Sequence, residues 1–241
     1  MKYLIITIIG YYAIININRQ QQSDTFPDLS GLTYSAVGNS ITECCSQSTF
    51  TYVKVIDDST SLGTVTNIGY SGNTMARLPG IRVGFRLQVQ QSYGSDIISI
   101  FGGTNDWVFN VPLGNVNDHN DTNNVSGACN YFIDLIEANS KESILFFIIP
   151  LSRSRDTLGN EIETSPVNRL GYTVEDYGNA IKAVCENRGI KYFNLYEIDG
   201  LLFSDIENWS DDGLHPNDVG QMRIGRYLKY YLENKDITDL Y

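Results

Sequence analysis

Five short apolar runs alternate with segments of helical spacing, and this alternation constrains the fold of the 241-residue chain more than any other feature. Continuous apolar runs are typical of strands that are buried on both faces of a parallel sheet. The sequence therefore predicts an α/β domain with a mostly parallel five-stranded sheet covered by helices on both sides. The five predicted strands are Leu32–Val37, Thr64–Gly69, Asp96–Phe101, Ile144–Ile149 and Ile190–Leu195.

Helical spacing between and after these runs predicts the covering helices. No segment between residues 31 and 241 has the composition of a linker, so residues 31–241 are predicted to form one domain. Two long connections, 107–125 and 151–172, are expected to carry function, since long loops in compact domains often do. The predicted helices are residues 41–55, 82–91, 126–139, 173–188 and 216–233.

Residues 1–30 are predicted to lie outside this domain, as an apolar arm or signal-like segment followed by a polar connector. Met1–Ile15 is similar to the start of a signal peptide, but no small-residue cleavage site follows it. An apolar run of about a dozen residues is too short to cross a bilayer, so no stable membrane span is expected. The alternative is a β arm that packs on the domain or on another subunit, giving a homo-oligomer or a larger assembly.

The formal net charge of −11 and the pI near 4.5 argue against a nucleic-acid partner. Binding to phosphates needs a basic face, and the lysines and arginines of this chain are scattered. The four cysteines, Cys44, Cys45, Cys129 and Cys185, are too few and too irregularly spaced for a disulfide framework or a zinc site. They are predicted to be buried free thiols.

Small and amide residues follow three successive predicted strands, in Gly38-Asn39-Ser40, in Gly69 to Gly72 and in Gly102 to Asn105. The carboxyl ends of parallel strands meet at one edge of a sheet, where open α/β folds bind their ligands. Glycine lets a backbone N–H approach a bound atom closely, and an asparagine amide can donate to an oxyanion. Ser40 is the candidate nucleophile, although a serine before a helix is also an ordinary N-cap.

Asp212 and His215 supply what a serine nucleophile needs. A hydroxyl is a poor nucleophile until a base accepts its proton, and a histidine serves best when a carboxylate fixes its tautomer. A separation of three residues lets one tight turn present both side chains to the same pocket. The alternative is that Asp212 is only a local cap beside a helix start. His119, the second histidine of the chain, lies in a polar loop without such a partner.

Together these segments resemble the SGNH/GDSL hydrolase superfamily, whose usual first block is Gly-Asp-Ser. The resemblance covers about Leu32 to Leu232, and each block is weak alone but specific as part of the set. The four blocks are matched in order by residues 38–42, 67–74, 103–106 and 212–217.

The resemblance implies a three-layer α/β/α flavodoxin-like fold and ester hydrolysis through an acyl-enzyme, without a metal or a cofactor. It implies Ser40 as nucleophile, His215 as base and acid, and Asp212 as the carboxylate that orients His215. The oxyanion hole would consist of the Ser40 and Gly72 N–H groups and the Asn105 side chain.

Asn39 departs from the family pattern, which usually has aspartate there. An amide keeps one acceptor and adds donors, so the implied triad is unaffected, but a negative charge beside it is lost. The α/β-hydrolases are the nearest other serine family. Their nucleophile turn needs a glycine two residues after the serine, where this chain has Thr42.

Three aromatic residues lie close in sequence to the predicted site residues: Trp107 and Phe109 after Asn105, and Trp209 before Asp212. They are expected to form an aromatic wall for a sugar ring, and the alternative is that they anchor the core or a loop. The predicted substrate is therefore a small-molecule or glycan ester, with an O-acetyl group on a carbohydrate favoured over a lipase substrate. A non-catalytic carbohydrate-binding or assembly module with the same fold is the other alternative. An extracellular, cell-surface or virion-associated setting is expected from the arm and the Asn- and Tyr-rich composition.

Overall fold

A parallel sheet of five strands forms the centre of the domain, with its strands hydrogen-bonded in the order β2-β1-β3-β4-β5. The computed structural model describes residues 25–44, 46–80, 84–119, 122–156, 160 and 165–235. Every predicted strand is confirmed to within one residue at its start and its end. The strands are β1 (Thr33–Gly38), β2 (Thr64–Gly69), β3 (Ile97–Phe101), β4 (Ile144–Ile149) and β5 (Lys191–Asn194).

Helices cover both faces of this sheet. Adjacent strand residues point to opposite faces, so Phe147 of β4 packs in one apolar core with α3, α5 and α6. Phe146 packs in a second core with α2 and α8. The predicted three-layer α/β/α architecture is therefore confirmed. The helices are α1 (Ser40–Glu43), α2 (Tyr52–Ser59), α3 (Arg86–Gln91), α4 (Thr104–Val108), α5 (Val125–Asn139), α6 (Val174–Arg188), α7 (Ile206–Trp209) and α8 (Asp218–Leu232), with 3₁₀ turns at Leu195–Glu197 and Phe203–Asp205.

The single helix predicted over residues 41–55 is wrong, because the chain forms α1 and α2 with a break between them. Hydroxyl side chains in the break bond to nearby backbone groups. Ser48 Oγ donates to Phe50 O at 2.8 Å, and Thr51 caps α2 by accepting from Lys54 N–H at 3.1 Å. Such local bonds compete with the hydrogen bonds of a continuous helix.

The connector before β1 packs on the domain from residue 25 onward. Phe26 and Leu29 are buried in the second core. Asn234 holds the Phe26 backbone, since its Oδ1 accepts from Phe26 N–H at 2.6 Å and its Nδ2 donates to Phe26 O at 2.8 Å. The predicted arm, Met1–Ile15, lies outside the described residues. No helix in the described part of the chain combines the length and apolarity that crossing a membrane requires.

The cysteines differ from one another in the structure. Cys129 and Cys185 are free and buried, as predicted. Cys44 is disulfide-bonded, so the prediction of a free thiol is wrong there. The spacing of the cysteines did not predict this bond, because a disulfide depends on a local geometry that sequence spacing does not specify. Cys45 lies outside the described residues.

Candidate active site

Strand β1 lies between β2 and β3, so the connections that leave these central strands run to opposite sides of the sheet. In open α/β sheets, ligands bind beside the carboxyl ends of the strands at such a switch point. Ser40 follows β1 after one residue, Gly72 follows β2, and Asn105 follows β3. The sheet order therefore places the three predicted segments at one edge, as the sequence analysis expected.

The turn from β1 into α1 is tight. Asn39 is the N-cap of α1, and its Oδ1 accepts from Ile41 N–H at 3.0 Å. The alternative role of Ser40 as the cap is therefore wrong, and the Ser40 hydroxyl is available for other contacts. A Cβ atom at Gly38 would overlap Thr42 Oγ1 and would lie 3.1 Å from Phe101 O, so the turn needs glycine there.

Ser40, His215 and Asp212 form a continuous hydrogen-bonded chain. Ser40 Oγ lies 3.1 Å from His215 Nε2, and His215 Nδ1 lies 2.8 Å from Asp212 Oδ2. The histidine and aspartate side chains are 21% and 15% exposed, so both are largely shielded from solvent, although the histidine keeps some contact with it. An imidazole between a carboxylate and a hydroxyl has the arrangement of a general base.

Asp212 also shapes the loop that carries His215. Its Oδ1 accepts from the backbone N–H groups of Leu214, at 2.9 Å, and of His215, at 2.7 Å. Burial by itself raises the pKa of Asp212, but the hydrogen bonds from the His215 side chain and backbone and from Leu214 hold this pKa well below its usual range. The ionised carboxylate favours a proton on His215 Nδ1, which leaves Nε2 free to accept the proton of Ser40.

Asn105 contacts the loop that follows β2. Its Nδ2 donates to Asn73 O at 2.8 Å. Gly72, the preceding residue, has a φ of 71°, a left-handed conformation that favours glycine. The backbone N–H groups of Ser40 and Gly72 have no hydrogen-bond acceptor among the described residues. Three donor groups of the predicted oxyanion hole thus come from three neighbouring strand ends.

Asp106 is buried directly behind this donor group. Its Oδ2 accepts from Met75 N–H and its Oδ1 from Ala76 N–H, both at 2.9 Å. Burial raises the pKa of the Asp106 carboxyl to about 6, against the opposing effect of these backbone hydrogen bonds. No role was predicted for Asp106 from the sequence, although it follows Asn105 directly. Its position fixes the β2 loop against α4.

The model of the GDSL-like lipase/acylhydrolase family matches residues 36–223, a span that contains the three strand-end segments and the Asp212–His215 turn. The chain belongs to this family. Its sheet order and helix layers agree with the SGNH hydrolase fold, and family membership makes it an ester hydrolase.

Solved structures similar to this GDSL-like hydrolase support the same fold. A Lactobacillus plantarum protein is 26% identical and covers 86% of this chain and 99% of its own, with a TM-score of 0.76. A possible lipase from Chitinophaga pinensis is 22% identical, covers 84% and 98%, and has a TM-score of 0.69. The acetyl xylan esterase AlAXEase is 16% identical, covers 82% and 98%, and has a TM-score of 0.56. The comparison with curated proteins found no match.

Two of the three predicted aromatic contacts of the hydrolase are core residues. Trp107 and Trp209 are wholly buried, and each indole N–H donates to a backbone carbonyl, of Tyr172 and Leu202 respectively. The prediction that they line an aromatic wall is wrong in this structure, because packing has placed both rings inside the domain. Phe109, at the end of α4, is 40% exposed and remains on the surface.

Gln88 is a residue at the site that the sequence analysis missed. Its Nε2 donates to Gly38 O at 2.7 Å and to Ile68 O at 2.6 Å, and its Oε1 accepts from Asn73 Nδ2 at 2.6 Å. It thereby joins the ends of β1 and β2 to the loop that Asn105 contacts. Glutamines in amphipathic helices are mostly exposed, so nothing in the sequence marks this one.

Arg153, in the loop after β4, is a second residue that the sequence analysis missed. Its side chain is buried and stacks on the Trp107 ring, with Cζ 4.5 Å from the centroid. Its Nη1 donates to Thr104 Oγ1 at 3.2 Å and its Nε to Arg155 O at 2.7 Å. Burial, with the nearby Arg155, lowers the pKa of Arg153 to about 10.

The loop that carries Arg153 also contacts the acid–base turn, since Ser154 N–H donates to Gly213 O at 3.0 Å. A Cβ atom at Gly213, which has a φ of 70°, would overlap Ser154 Oγ. The loop that carries Arg153 therefore contacts both α4, which carries Asn105, and the turn that carries His215.

His119 lies apart from this site, beside α5 and α6. Its Nδ1 is 3.3 Å from Asp134 Oδ2, so the prediction that it lacks a carboxylate partner is wrong: sheet and helix packing bring Asp134 to it from fifteen residues away. Among the described residues, no three His, Cys, Asp or Glu side chains form a group that could hold a metal ion.

Proposed function

We propose that this hydrolase is a serine esterase that removes an O-acetyl group from a carbohydrate, with Ser40 as its nucleophile. The observation that carries the proposal is the hydrogen-bonded chain from Ser40 through His215 to Asp212, at the switch point of the sheet. A serine with a histidine base and an orienting carboxylate is the arrangement that acyl transfer requires.

In the first half of the reaction, Ser40 Oγ attacks the ester carbonyl carbon as its proton passes to His215 Nε2. The tetrahedral intermediate collapses when the protonated His215 gives that proton to the sugar oxygen, which leaves as a hydroxyl group. In the second half, His215 takes a proton from water, which attacks the acetyl-Ser40 ester. Acetic acid departs as the proton on His215 passes to Ser40 Oγ.

The negative charge that develops on the carbonyl oxygen needs fixed donors. Those available are the Ser40 and Gly72 N–H groups, which have no acceptor among the described residues, and the Asn105 side chain. Asp106 and Gln88 hold the loop that carries Gly72, so these donors are positioned before the substrate arrives. Donors that need no reorganisation contribute strongly to catalysis.

Support for an acetylated sugar comes from two observations. Phe109 offers a partly exposed ring directly after the helix that carries Asn105, and aromatic rings suit the apolar faces of sugars. An acetyl xylan esterase shares the fold, so the fold is compatible with removal of an acetyl group from a glycan.

A second candidate, hydrolysis of esters with longer apolar acyl chains, is favoured by a patch of exposed side chains near α4. Phe109, Val167, Leu170 and Tyr172 are each more than a third exposed. Hydrogen bonds tie their segments together, since Arg169 N–H donates to Asn110 Oδ1 at 2.8 Å. Exposed apolar patches often bind apolar partners. Rates on 4-nitrophenyl esters of graded chain length separate the two: the acetylesterase prefers acetate, whereas a lipase-like enzyme prefers longer chains.

Replacement of the nucleophile tests the proposal directly. We expect Ser40→Ala to lower kcat on 4-nitrophenyl acetate by roughly a thousandfold or more and to abolish labelling by a fluorophosphonate probe. Ser30→Ala, an exposed serine before β1, is the matched control and should behave as the wild type. Equal rates for Ser40→Ala and the wild type would refute Ser40 as the nucleophile, whereas a wild type that neither hydrolyses the ester nor is labelled would be a non-catalytic module.

A further inference from the structure

The tight turn after β2, residues 70–73, presents one of the three donors of the candidate oxyanion hole. Asn73 N–H donates to Tyr70 O at 3.2 Å, which closes the turn. Ser71 has a negative φ and Gly72 a φ of 71°, the combination found in type II turns. Because the closing bond of this turn uses the Asn73 N–H, the Gly72 N–H is left for another acceptor.

Two hydrogen bonds attach this turn to the elements beside it. Tyr70 N–H donates to Gly38 O at 3.0 Å, which extends the pairing of β2 with β1 by one residue. Ser71 N–H donates to Glu43 Oε2 at 2.7 Å. In the described part of the chain, Glu43 is the one side chain that accepts from a backbone N–H of residues 70–72. The placement of the turn therefore depends on backbone pairing on one side and on the Glu43 carboxylate on the other.

Glu43 belongs to the same short helix as the nucleophile, since α1 begins at Ser40 and ends at Glu43. Backbone packing fixes α1 on β2. A Cβ atom at Gly69 would overlap the backbone N and Cα of Glu43, and Asn67 Nδ2 donates to Thr42 O at 2.6 Å. The Glu43 carboxylate thus starts from a backbone whose position relative to Ser40 and β2 is already set.

The bond from Ser71 to Glu43 matters more for geometry than for overall stability. Hydrogen bonds to an ionised carboxylate are stronger than those between neutral groups. Glu43 is exposed, however, so water competes for its oxygens and the folded protein gains little from the bond. An oxyanion donor has a stricter requirement, because it contributes only when it is held at the right distance before the reaction begins.

We propose that Glu43 is a positioning residue for the esterase reaction. Its carboxylate holds the Ser71 N–H, and the turn then keeps the Gly72 N–H directed at the oxyanion that forms when Ser40 attacks the ester. Glu43 acts through Ser71 and does not contact the substrate. The role requires a hydrogen-bond acceptor and not a charge. The inference rests on the proposed function, since an oxyanion forms at this place only if Ser40 is the nucleophile.

Steady-state kinetics on 4-nitrophenyl acetate test the role of the acceptor. We expect Glu43→Ala to lower kcat by roughly tenfold with KM within a factor of about two, because a displaced donor weakens the transition state and not substrate binding. Glu43→Gln should recover most of the rate, since its amide oxygen accepts the same hydrogen bond. All variants should unfold at nearly the same temperature.

Glu142→Ala, at an exposed glutamate before β4, is the matched control and should behave as the wild type. A wild-type kcat for Glu43→Ala overturns the proposal. So does a Glu43→Gln variant as slow as Glu43→Ala, because the charge and not the acceptor would then be responsible.

A second substitution tests whether Glu43 acts through the Ser71 N–H. Ser71→Pro removes this donor, and proline is favoured at the second position of a type II turn. We expect Glu43→Ala to cost roughly tenfold in kcat in the natural background and less than about twofold in the Ser71→Pro background. The same loss in both backgrounds overturns the proposal.

The failure of this inference is distinguishable from the failure of the proposed function. Full esterase activity in Ser40→Ala overturns the proposed function, and the role of Glu43 with it. An enzyme that depends on Ser40 but keeps its wild-type kcat in Glu43→Ala overturns the role of Glu43 and leaves the proposed function in place.

Discussion

Asp212 and Asp106 both lie at the candidate site, but their surroundings differ. Asp212 is close to solvent, contacts the His215 ring, and has a pKa held well below its usual range by hydrogen bonds that outweigh burial. Asp106 is fully buried, contacts backbone N–H groups, and has a pKa raised by burial to about 6. The same side chain thus serves acid–base chemistry in one place and loop positioning in the other.

The contrast between Asp212 and Asp106 divides the candidate site into two halves. The half with Ser40, His215 and Asp212 needs a permanent charge, because the carboxylate must stabilise the imidazolium that forms during the reaction. The half with Gly72, Asn105 and Asp106 needs fixed geometry, because its donors act only when they are held at the right distance. Substitutions should therefore have different signatures in the two halves.

Asp212→Asn should have the largest effect. We expect kcat on 4-nitrophenyl acetate to fall by about a thousandfold to ten-thousandfold, since an amide in place of the carboxylate favours the wrong histidine tautomer. Asp211→Asn, at the exposed neighbouring carboxylate, is the control and should leave kcat within a factor of about two. A small effect of Asp212→Asn in steady-state kinetics would remove the distinction between the two aspartates.

Asn105→Ala should have the second largest effect on rate. We expect a loss of about a hundredfold to a thousandfold in kcat and little change in KM, as for other side-chain donors to an oxyanion. The exposed Asn139→Ala at the end of α5 serves as the control. Stopped-flow kinetics should show slower acylation rather than weaker binding. A rise in KM with unchanged kcat would assign Asn105 to substrate binding instead.

Arg153→Met should lower kcat by roughly tenfold to a hundredfold, because the Arg153 side chain holds against α4 the loop that contacts the acid–base turn, and small displacements of reacting groups are costly. Arg153→Lys keeps the charge but cannot make the same set of hydrogen bonds, so we expect partial activity. If the lysine and methionine variants are equally slow and equally stable, the geometry of the guanidinium matters and its charge does not.

Asp106→Asn should have the smallest effect on rate and a distinct effect on stability as pH changes. With a pKa of about 6 when folded and near 4 when unfolded, Asp106 contributes stability that is fully present below pH 4 and lost as pH rises through 6. The change is on the order of 3 kcal/mol. Thermal unfolding of both proteins from pH 4 to pH 7 should show the wild type losing several degrees relative to Asp106→Asn.

The Asp212 contribution has the opposite sign. The depressed pKa of Asp212 stabilises the folded protein at pH values above about 4, the ordinary pKa of an aspartate, and this stabilisation is lost as pH falls below about 4. Asp212→Asn should therefore flatten the acid side of the wild-type stability profile below about pH 4. If both asparagine variants alter the same pH range, the contrast between the two carboxylates is wrong.

Much of this architecture could be predicted from local sequence. Apolar runs identified β1, β3 and β4, which are buried on both faces, whereas the edge strands β2 and β5 keep partly exposed polar residues and were identified from β-branched residues and from their place after a helix or before a turn. The Asp212–His215 spacing is a local turn, and the small residues after β1, β2 and β3 follow from what tight turns tolerate. The break between α1 and α2 was missed, since hydroxyl residues can either continue a helix or cap one.

What the sequence by itself determined is thus the elements, their alternation, and the residue types at the strand ends. Tertiary structure decided that Ser40 meets His215 across 175 positions, that Trp107 and Trp209 enter the core, and that Gln88 and Arg153 join the site. The physical reason is the sequence separation over which each kind of interaction acts. Propensities and turn chemistry act over a few residues, whereas contacts between distant segments depend on strand order and on how side chains fill the space between layers.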